Sequence, residues 1–514
     1  MFATDRRTKI LTLGAMCFAL FMAMLDNTVV NVALPSISAD LGSGISGLQW
    51  IVDAYTLVFA TLILTGGTLG DILGRKRCFL AGLLVFTAGS LLCALAPSLS
   101  ALVAGRAVQG LGAALLMPGT LAILTNTFVD PKERAQAIGI WAGVSGLALA
   151  MGPVVGGLLV DSLGWQSVFY LNVPIGVIAL VVVLLAVKES RHPEGRRLDL
   201  PGQVLAIVAL GTLTYALIEA NTYGWTSALI LTLYVVAAVS IAGFIVVERR
   251  SSSPMLDLHF FRDPTFTAGA VCAAVISFGM FGMFFFLSLF LQSVQGFTPL
   301  EAGIRTLPCT AMIVLFAPLA GRAAGSIGSR LPMTLGLAAN ALSLFLFTQV
   351  QADTAYGSIW PILCLAGFGI AIVMTPMTAA IMGAVPRERA GMASATTNAS
   401  REIGGVFGIA LLGAVVTHIL TRDVSTALDG LGLPPALKET VLERLGSGLG
   451  QVEGGLPPGE TYAAVATAIK ASFVSGMHMA VIIAGVVLAI GALVTFAFVR
   501  QPSPQPSVAV EPQT

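Results

Sequence analysis

Charge is what this chain has least of. Only 10% of its 514 residues are Asp, Glu, Lys or Arg, against about 25% in an ordinary soluble domain. Its 4 His and 6 Cys form no CxxC pair and no Cys/His cluster, so neither a disulfide nor a metal site is expected. Also absent are the phosphate-cradling GxxxxGK[ST], the zinc-protease HExxH and the nucleophile-bearing GxSxG. ATP-driven work, a cofactor and an enzyme's catalytic residues therefore have no support in the sequence. A net charge of +1 gives no reason to expect a nucleic-acid partner.

Apolar residues are what the chain has in excess. They make up 56% of it, and the mean hydropathy is +0.90. Such a chain is closed by lipid rather than water: an all-α membrane protein. Fourteen apolar runs of about 18–28 residues have a length that fits a bilayer. They fall at 10–35, 48–69, 78–96, 101–125, 135–160, 166–187, 202–220, 226–247, 266–293, 300–320, 332–350, 358–383, 391–418 and 477–499. The 56 Gly and 25 Pro do not argue against helices, because spanning helices tolerate both. No small-residue cleavage site follows the first run, so it is expected to remain as a span.

Lys and Arg set the orientation. With the amino terminus inside, the inner segments hold Arg6, Arg7, Lys9, Arg75–Arg77, Lys132, Arg134, Lys188, Arg191, Arg196, Arg197, Arg249, Arg250, Arg262, Arg322, Arg330, Arg387, Arg389 and Arg500. The outer side holds Arg422, Lys438, Arg444 and Lys470, all in one long loop. The positive-inside rule places both termini in the cytoplasm.

A basic linker at 188–201 and the polar segment 248–264 divide the chain. Residues 1–187 form a first bundle of six spans, 188–264 hold the linker and two extra spans, and 265–499 form a second bundle of six. GTLGDILGRK at 67–76 and GRAAGSIGSR at 321–330 follow spans two and ten with glycine and basic residues at matching offsets. Pseudo-symmetric halves of this kind are the usual plan of secondary transporters. The outer loop of about 419–476 starts loop-like, with short amphipathic helices at 436–449 and 461–473. Residues 500–514, rich in Pro, Gln and Ser, are expected to be a disordered tail.

A few polar residues lie inside the apolar runs. Asp26 stands well inside the first, with Asn27, Thr28 and Asn31 nearby. A carboxylate at that depth costs about 2.5–3.5 kcal/mol and normally faces a bundle interior or a water-filled cavity. Asp53 begins the second span, close enough to Asp26 across a short loop for the two to share a proton, or else it is a structural acid of the outer edge. Arg106 and Gln109 share a face of the fourth span. A guanidinium there needs an acceptor, either a titrating acid or fixed backbone carbonyls. Arg401 and Glu402 open span thirteen, where Glu402 is a proton or cation candidate or one half of a fixed pair. Gly152 and Gly156 form a small-xxx-small pair around Pro153, beside Gly157. Phe278, Met280, Phe281, Met283, Phe284, Phe285 and Phe286 crowd span nine. Such side chains suit a cavity for varied apolar ligands, although a packed or lipid-facing helix is the simpler reading.

At GGTLGDILGRKR (66–77) the chain resembles the loop signature of the major facilitator superfamily. LDNTVVNVALP (25–35), RAVQGLGAALLMPG (106–119), GLALAMGPVVGG (146–157) and GWQSVFYLNVPIG (164–176) are similar to signatures of its fourteen-span drug–proton antiporter branch. The resemblance implies a major facilitator fold and a proton-coupled exporter of lipophilic or cationic drugs and antibiotics in the cytoplasmic membrane, working as a monomer. It implies proton coupling or substrate binding by Asp26, Asn31, Asp53, Arg106, Gln109 and Glu402. It further implies a gate at Gly70, Asp71, Gly74 and Arg75, and a hinge at Gly152, Pro153, Gly156 and Gly157. Proton symport of a nutrient and a non-transporting scaffold are the alternatives.

Overall fold

The computed structural model describes residues 6–191, 198–251, 253–385, 390–431, 433–447 and 460–500. Fourteen of its helices are long and apolar enough to cross a bilayer. They are α1 (Arg6–Leu41), α2 (Ile45–Leu73), α3 (Arg75–Ala94), α4 (Leu99–Thr127), α5 (Pro131–Leu163), α6 (Ser167–Ala186) and α7 (Leu200–Tyr223). There follow α8 (Ala228–Arg250), α9 (Pro264–Val294), α10 (Pro299–Ile327), α11 (Arg330–Phe347), α12 (Tyr356–Gly383), α13 (Ala390–Gly430) and α14 (Glu460–Phe498). No strand occurs among the described residues.

Local chemistry starts and stops these helices. Asp130 accepts from the Lys132 and Glu133 amides at 3.0 Å ahead of Pro131, which opens α5. Asp263 caps α9 ahead of Pro264, Ser98 caps α4, and Thr298 with Glu301 forms a capping box on α10. Each satisfies amides that a helix start leaves without partners. Gly74 ends α2 at φ 115° and Gly328 ends α10 at φ 79°, a region side chains disfavour. These glycines occupy the same offset in the two repeated motifs. Helix α6 breaks at Leu171 before Pro174, α10 at Thr306 before Pro308, and α9 ends in the π-turn Phe290–Val294.

Packing repeats the same plan twice. Helix pairs α1–α5, α2–α4, α3–α4 and α1–α6 recur as α9–α13, α10–α12, α11–α12 and α9–α14. Two seams join the sets, α2 against α13 and α5 against α10, and each seam is the counterpart of the other in the repeat. The α7–α8 hairpin lies outside, with α7 touching both α2 and α13. Burial follows position: 78% of the most apolar window of α9 is buried, against 17% for α8. Leu185, Val239, Leu335 and Leu493 are exposed, as side chains facing lipid are.

The helix ends carrying Arg6, Arg75, Lys132, Arg249 and Arg330 share one side, termed here the basic end; the opposite side is the far end. At the far end the structure corrects the expected loop. Residues 419–430 continue α13, and 461–473 belong to α14 rather than to a separate helix. Val424 and Leu428, four residues apart, bury one face of that extension together with Val465 and Ile469. Among the described residues of this segment only Pro435–Ser447 forms a helix of its own, with Val441 and Leu445 against the same core. The basic residues Arg196, Arg197, Arg387 and Arg389 and the tail from 501 lie outside the described residues.

Helices α3 and α4 approach through glycine. A Cβ at Gly82 would stand 2.7 Å from the Leu116 nitrogen and 2.8 Å from the Gly112 oxygen, backbone atoms that cannot turn aside. Gly82→Val is expected to lower the melting midpoint of the purified protein by overpacking worth about 1–3 kcal/mol. At Gly139 a methyl group would meet nothing within 4 Å, which makes it the control: Gly139→Ala stays within about 0.5 kcal/mol. Equal melting of the two variants would refute this packing.

Candidate functional site

The first cluster gathers on Asp26 and Arg106, whose side chains have no solvent exposure. Arg106 Nη1 donates to Asp26 Oδ2 at 2.5 Å and to Gln109 Oε1 at 2.9 Å. Its Nε donates to the Ile51 carbonyl of α2 at 3.0 Å. The other carboxylate oxygen, Asp26 Oδ1, accepts from Asn172 Nδ2 at 2.8 Å and Gln109 Nε2 at 3.1 Å. Gln109 Nε2 also donates to Ser90 Oγ at 2.7 Å. The guanidinium lies 4.5 Å from the Tyr55 ring centroid, which covers its flat face. Arg106 Nη2 has no hydrogen-bond partner among the described residues. One ion pair thus ties α1, α2, α3, α4 and α6.

Asp26 and Asp53 do not meet in a hydrogen bond. Arg106 is bound to Asp26 and to the Ile51 carbonyl, two residues before Asp53 in α2. Asp53 is fully buried and, among the described residues, neither of its carboxyl oxygens has a partner. Glu402 is 7% exposed, and its Oε2 likewise has no partner among the described residues. Both acids belong to the α2–α13 seam. Gln49 Nε2 crosses this seam to the Ile409 and Ala410 carbonyls at 2.8 and 3.0 Å. Asp53 is one helical turn from Gln49, and Glu402 is two turns from Ile409, both toward the basic end of antiparallel helices. With a rise of about 1.5 Å per residue they lie about 6 and about 10 Å along the seam. Ala399, one turn from Glu402, packs in a cluster with Tyr55 and Phe59, and Glu402 is within electrostatic reach of Tyr55.

The second feature is a cavity between α1, α5, α9 and α10, about 530 Å³ of empty space including its opening. Thr28 and Asn31 enter from α1, Leu149 and Pro153 from α5, and Met280, Phe281 and Phe284 from α9. The aromatic run of α9 thus divides between two roles. Three of its members face the cavity, while Phe278, Met283, Phe285 and Phe286 are buried in the core. None of the lining residues carries a charge.

The remaining sequence candidates sit where the seams and turns are. A Cβ on Gly152 would stand 2.7 Å from Thr28 Cβ, one on Gly156 3.1 Å from Val29 Cα, and one on Gly157 2.7 Å from Leu300 Cα. Helix α5 is therefore pressed between α1 and α10, with Pro153 on the cavity wall. At the basic end Arg75 holds Asp71 Oδ1 through Nε at 3.1 Å and Nη2 at 3.0 Å. Gly70 and Gly74 form the turn through a Gly74 N to Gly70 O bond of 3.1 Å. Glu189 accepts from the Lys76 and Arg77 amides at 3.0 and 3.2 Å and closes that corner. Glu219 and Glu301 accept from Trp50 Nε1 at 2.9 Å and from the Thr298 amide at 3.0 Å.

Gln49, Ser90, Asn172, Ser288 and Gln292 join the site without standing out in the sequence. Ser288 Oγ donates to the Asn31 carbonyl at 2.6 Å and Gln292 Nε2 to the Val32 carbonyl at 3.0 Å. A lone polar residue inside an apolar run is the available signal for all five. Among the described residues, the hydrogen bonds joining α1 or α2 to α9 or α13 gather toward the far end.

Comparison with known proteins follows the same outline. The sequence profile of the Major Facilitator Superfamily matches residues 16–409. The chain is 41% identical over 439 residues to the multidrug resistance protein Stp of Mycobacterium tuberculosis (strain CDC 1551 / Oshkosh), covering 85% of this chain and 81% of that one. It is 34% identical over 498 residues to the tetracenomycin C resistance and export protein of Streptomyces glaucescens, covering 96% and 92%. A bacterial homolog to the human lysosomal transporter Spinster, solved inward-facing and unoccupied, superposes with a TM-score of 0.67 over 97% of this chain and 100% of that one. At 19% identity that likeness concerns the fold alone. A profile spanning most of the chain, and relatives aligned over more than four-fifths of their length, make it a member of the Major Facilitator Superfamily, a multi-pass membrane transporter.

Proposed function

We propose that the chain exports lipophilic or cationic drug-like molecules, antibiotics among them, in exchange for protons entering across the cytoplasmic membrane. The observation that carries the coupling is the pair of buried acids, Asp53 and Glu402, on facing helices of one seam with unpartnered oxygens. A carboxyl group in such a place is accommodated as the neutral acid or beside a cation, and an unpaired charge there costs several kcal/mol. Protonation of these groups from outside and release inside biases the two arrangements of the halves. Each entering proton supplies about 2.3 kcal/mol per 100 mV of membrane potential. The names of its relatives, which include drug resistance and export, support the direction of transport.

The moving parts fit the same scheme. The two bundles, 1–187 and 265–499, rock about the α5–α10 contact, where Gly152, Pro153, Gly156 and Gly157 let the backbones meet. The lysine and arginine bias supports a cytoplasmic basic end with both termini inside. Joined toward the far end, the halves then stand open to the cytoplasm. Asp71 and Arg75, poised by Gly70 and Gly74, latch the basic end when it closes. The chain acts as a monomer and performs no covalent chemistry.

Two measurements in proteoliposomes with an imposed pH gradient test this. Asp53→Asn and Glu402→Gln are each expected to lower gradient-driven drug transport at least about tenfold, the effect of a change of about 1.4 kcal/mol or more, with counterflow and protein yield kept. Unaltered gradient dependence in the double amide variant rules the coupling scheme out. Asp26→Asn is expected to act first on stability, because it leaves Arg106 buried and unpaired at a cost of about 3–5 kcal/mol. Adding Arg106→Gln should restore the yield of folded protein without restoring coupling; a double variant with normal coupled transport would remove this pair from the relay.

A further inference from the structure

We infer that the cavity between α1, α5, α9 and α10 selects neutral, largely apolar molecules that donate a hydrogen bond, received by the side-chain carbonyl of Asn31. The inference rests on the transport reading for its biological meaning and narrows the substrate class of that same cavity.

The donors and acceptors on the wall set this preference. Every side-chain donor atom there already makes a bond, and the Asn31 NH2 group keeps one further hydrogen. Thr28 Oγ1 donates to the Leu25 carbonyl at 3.0 Å, Ser288 Oγ to the Asn31 carbonyl at 2.6 Å, and Thr306 Oγ1 to the Gly303 carbonyl at 2.7 Å. Asn31 Nδ2 donates to the Asn27 carbonyl at 3.2 Å. That bond also fixes which way the amide points, since only the NH2 group can face a carbonyl oxygen. Asn31 Oδ1 is left buried with no partner, on a residue 7% exposed. Buried polar atoms without partners are rare, and this one belongs to a residue of the cavity wall, where a donor brought by the ligand would satisfy it.

The same wall disfavours charged ligands. An anion finds no cationic side chain on it and, beyond the bonds already made, only the second N–H of the Asn31 amide. A quaternary cation finds no carboxylate, because Asp26 is sealed behind Arg106, Gln109 and Asn172 and does not line the cavity. The rings of Phe281 and Phe284 can attract a cation, but their faces return only part of the hydration it loses. Met280, Leu149 and Leu291 complete an apolar, adaptable wall that suits a planar or alicyclic frame.

Three probes of similar frame separate these chemistries: 1-hydroxypyrene, 1-methoxypyrene and a (pyrenylmethyl)trimethylammonium salt. Binding to the purified full chain is read from pyrene fluorescence at slightly acidic pH, where the phenol is neutral. The phenol is expected to bind about five- to tenfold tighter than its methyl ether, the worth of one hydrogen bond, and the cation weakest. Asn31→Leu, close in volume, should bring phenol and ether to within about twofold without weakening the ether. Asn31→Asp places a carboxylate on the wall and should admit the cation, which keeps the test open if the leucine variant folds poorly. Tightest binding by the cation, discrimination of phenol from ether that survives Asn31→Leu, or binding of none of the three overturns the inference. Accumulation of the same probes in cells with and without an uncoupler separates the two claims. Selective binding without uncoupler-sensitive efflux leaves the cavity chemistry standing and removes the exporter; efflux with the cation preferred does the reverse.

Discussion

A guanidinium that cannot lose its proton and cannot reach water has to be answered by its neighbours. In this protein Arg106 is answered by Asp26, Gln109 and the Ile51 carbonyl, and the surrounding bundle is arranged to bring them there. Helices α3 and α4 come close because Gly89 leaves room for Gln109, whose backbone nitrogen would be 2.7 Å from a Cβ at that position. Helix α6 breaks beside Asn172, and Asn172 and Gln109 both reach Asp26 and Ser90. The result is a polar knot in a medium with no water to replace any missing partner. Its members specify how five helices meet, whatever their net contribution to stability.

The pseudo-two-fold makes the two seams counterparts, yet their chemistry differs. The α5–α10 seam is built from small residues and backbone, with Gly157 against Leu300 and Gly303 against Pro153. The α2–α13 seam is polar, with Gln49 reaching two carbonyls and two acids lying below it. A polar seam next to hydrocarbon needs cover, and α7 provides it. Asn221 donates to the Ala414 carbonyl of α13 at 2.7 Å, while Glu219 receives Trp50 of α2 and Gln203 donates to the Thr61 carbonyl at 2.9 Å. Helix α7, the first of the two helices beyond the six-plus-six plan, thereby clamps the seam in which the acids lie, and no such cover is needed over the apolar seam.

Charge and cavity are also kept apart. The ion pair lies wholly among α1–α6, whereas the cavity opens between the repeats and is lined by uncharged side chains. Helix α1 takes part in both. Asp26 points to the knot, while Thr28 and Asn31 stand on the cavity wall. Residues 28 and 31 are three apart and share a face, whereas 26 lies about 160° from 28 around the helix. One helix therefore presents a charged face to its own bundle and a neutral one to the cavity.

The number of spans, their basic flanks, the repeated glycine turn and the presence of isolated acids can all be read from the chain. Hydropathy and charge are properties of each residue and need no neighbour to be known. The helical period likewise puts Arg106 and Gln109 on one face. Partnership is not legible. Nothing in the spacing of Asp26, Ser90 and Asn172 shows that three separate helices bring them together, or that Asp26 is bonded to Arg106 and not to Asp53. Nor does the run of aromatics in α9 indicate which of Met280, Phe281 and Phe285 faces a cavity and which a neighbouring helix, since α9 is apolar on every side. The far-end extensions of α13 and α14 are hidden for the same reason: their polar faces mask a narrow apolar stripe that matters only once Val424, Leu428, Val465 and Ile469 meet. The sequence states what each residue needs, a partner, lipid or space. Only the packing of helices distant along the chain decides which neighbour supplies it.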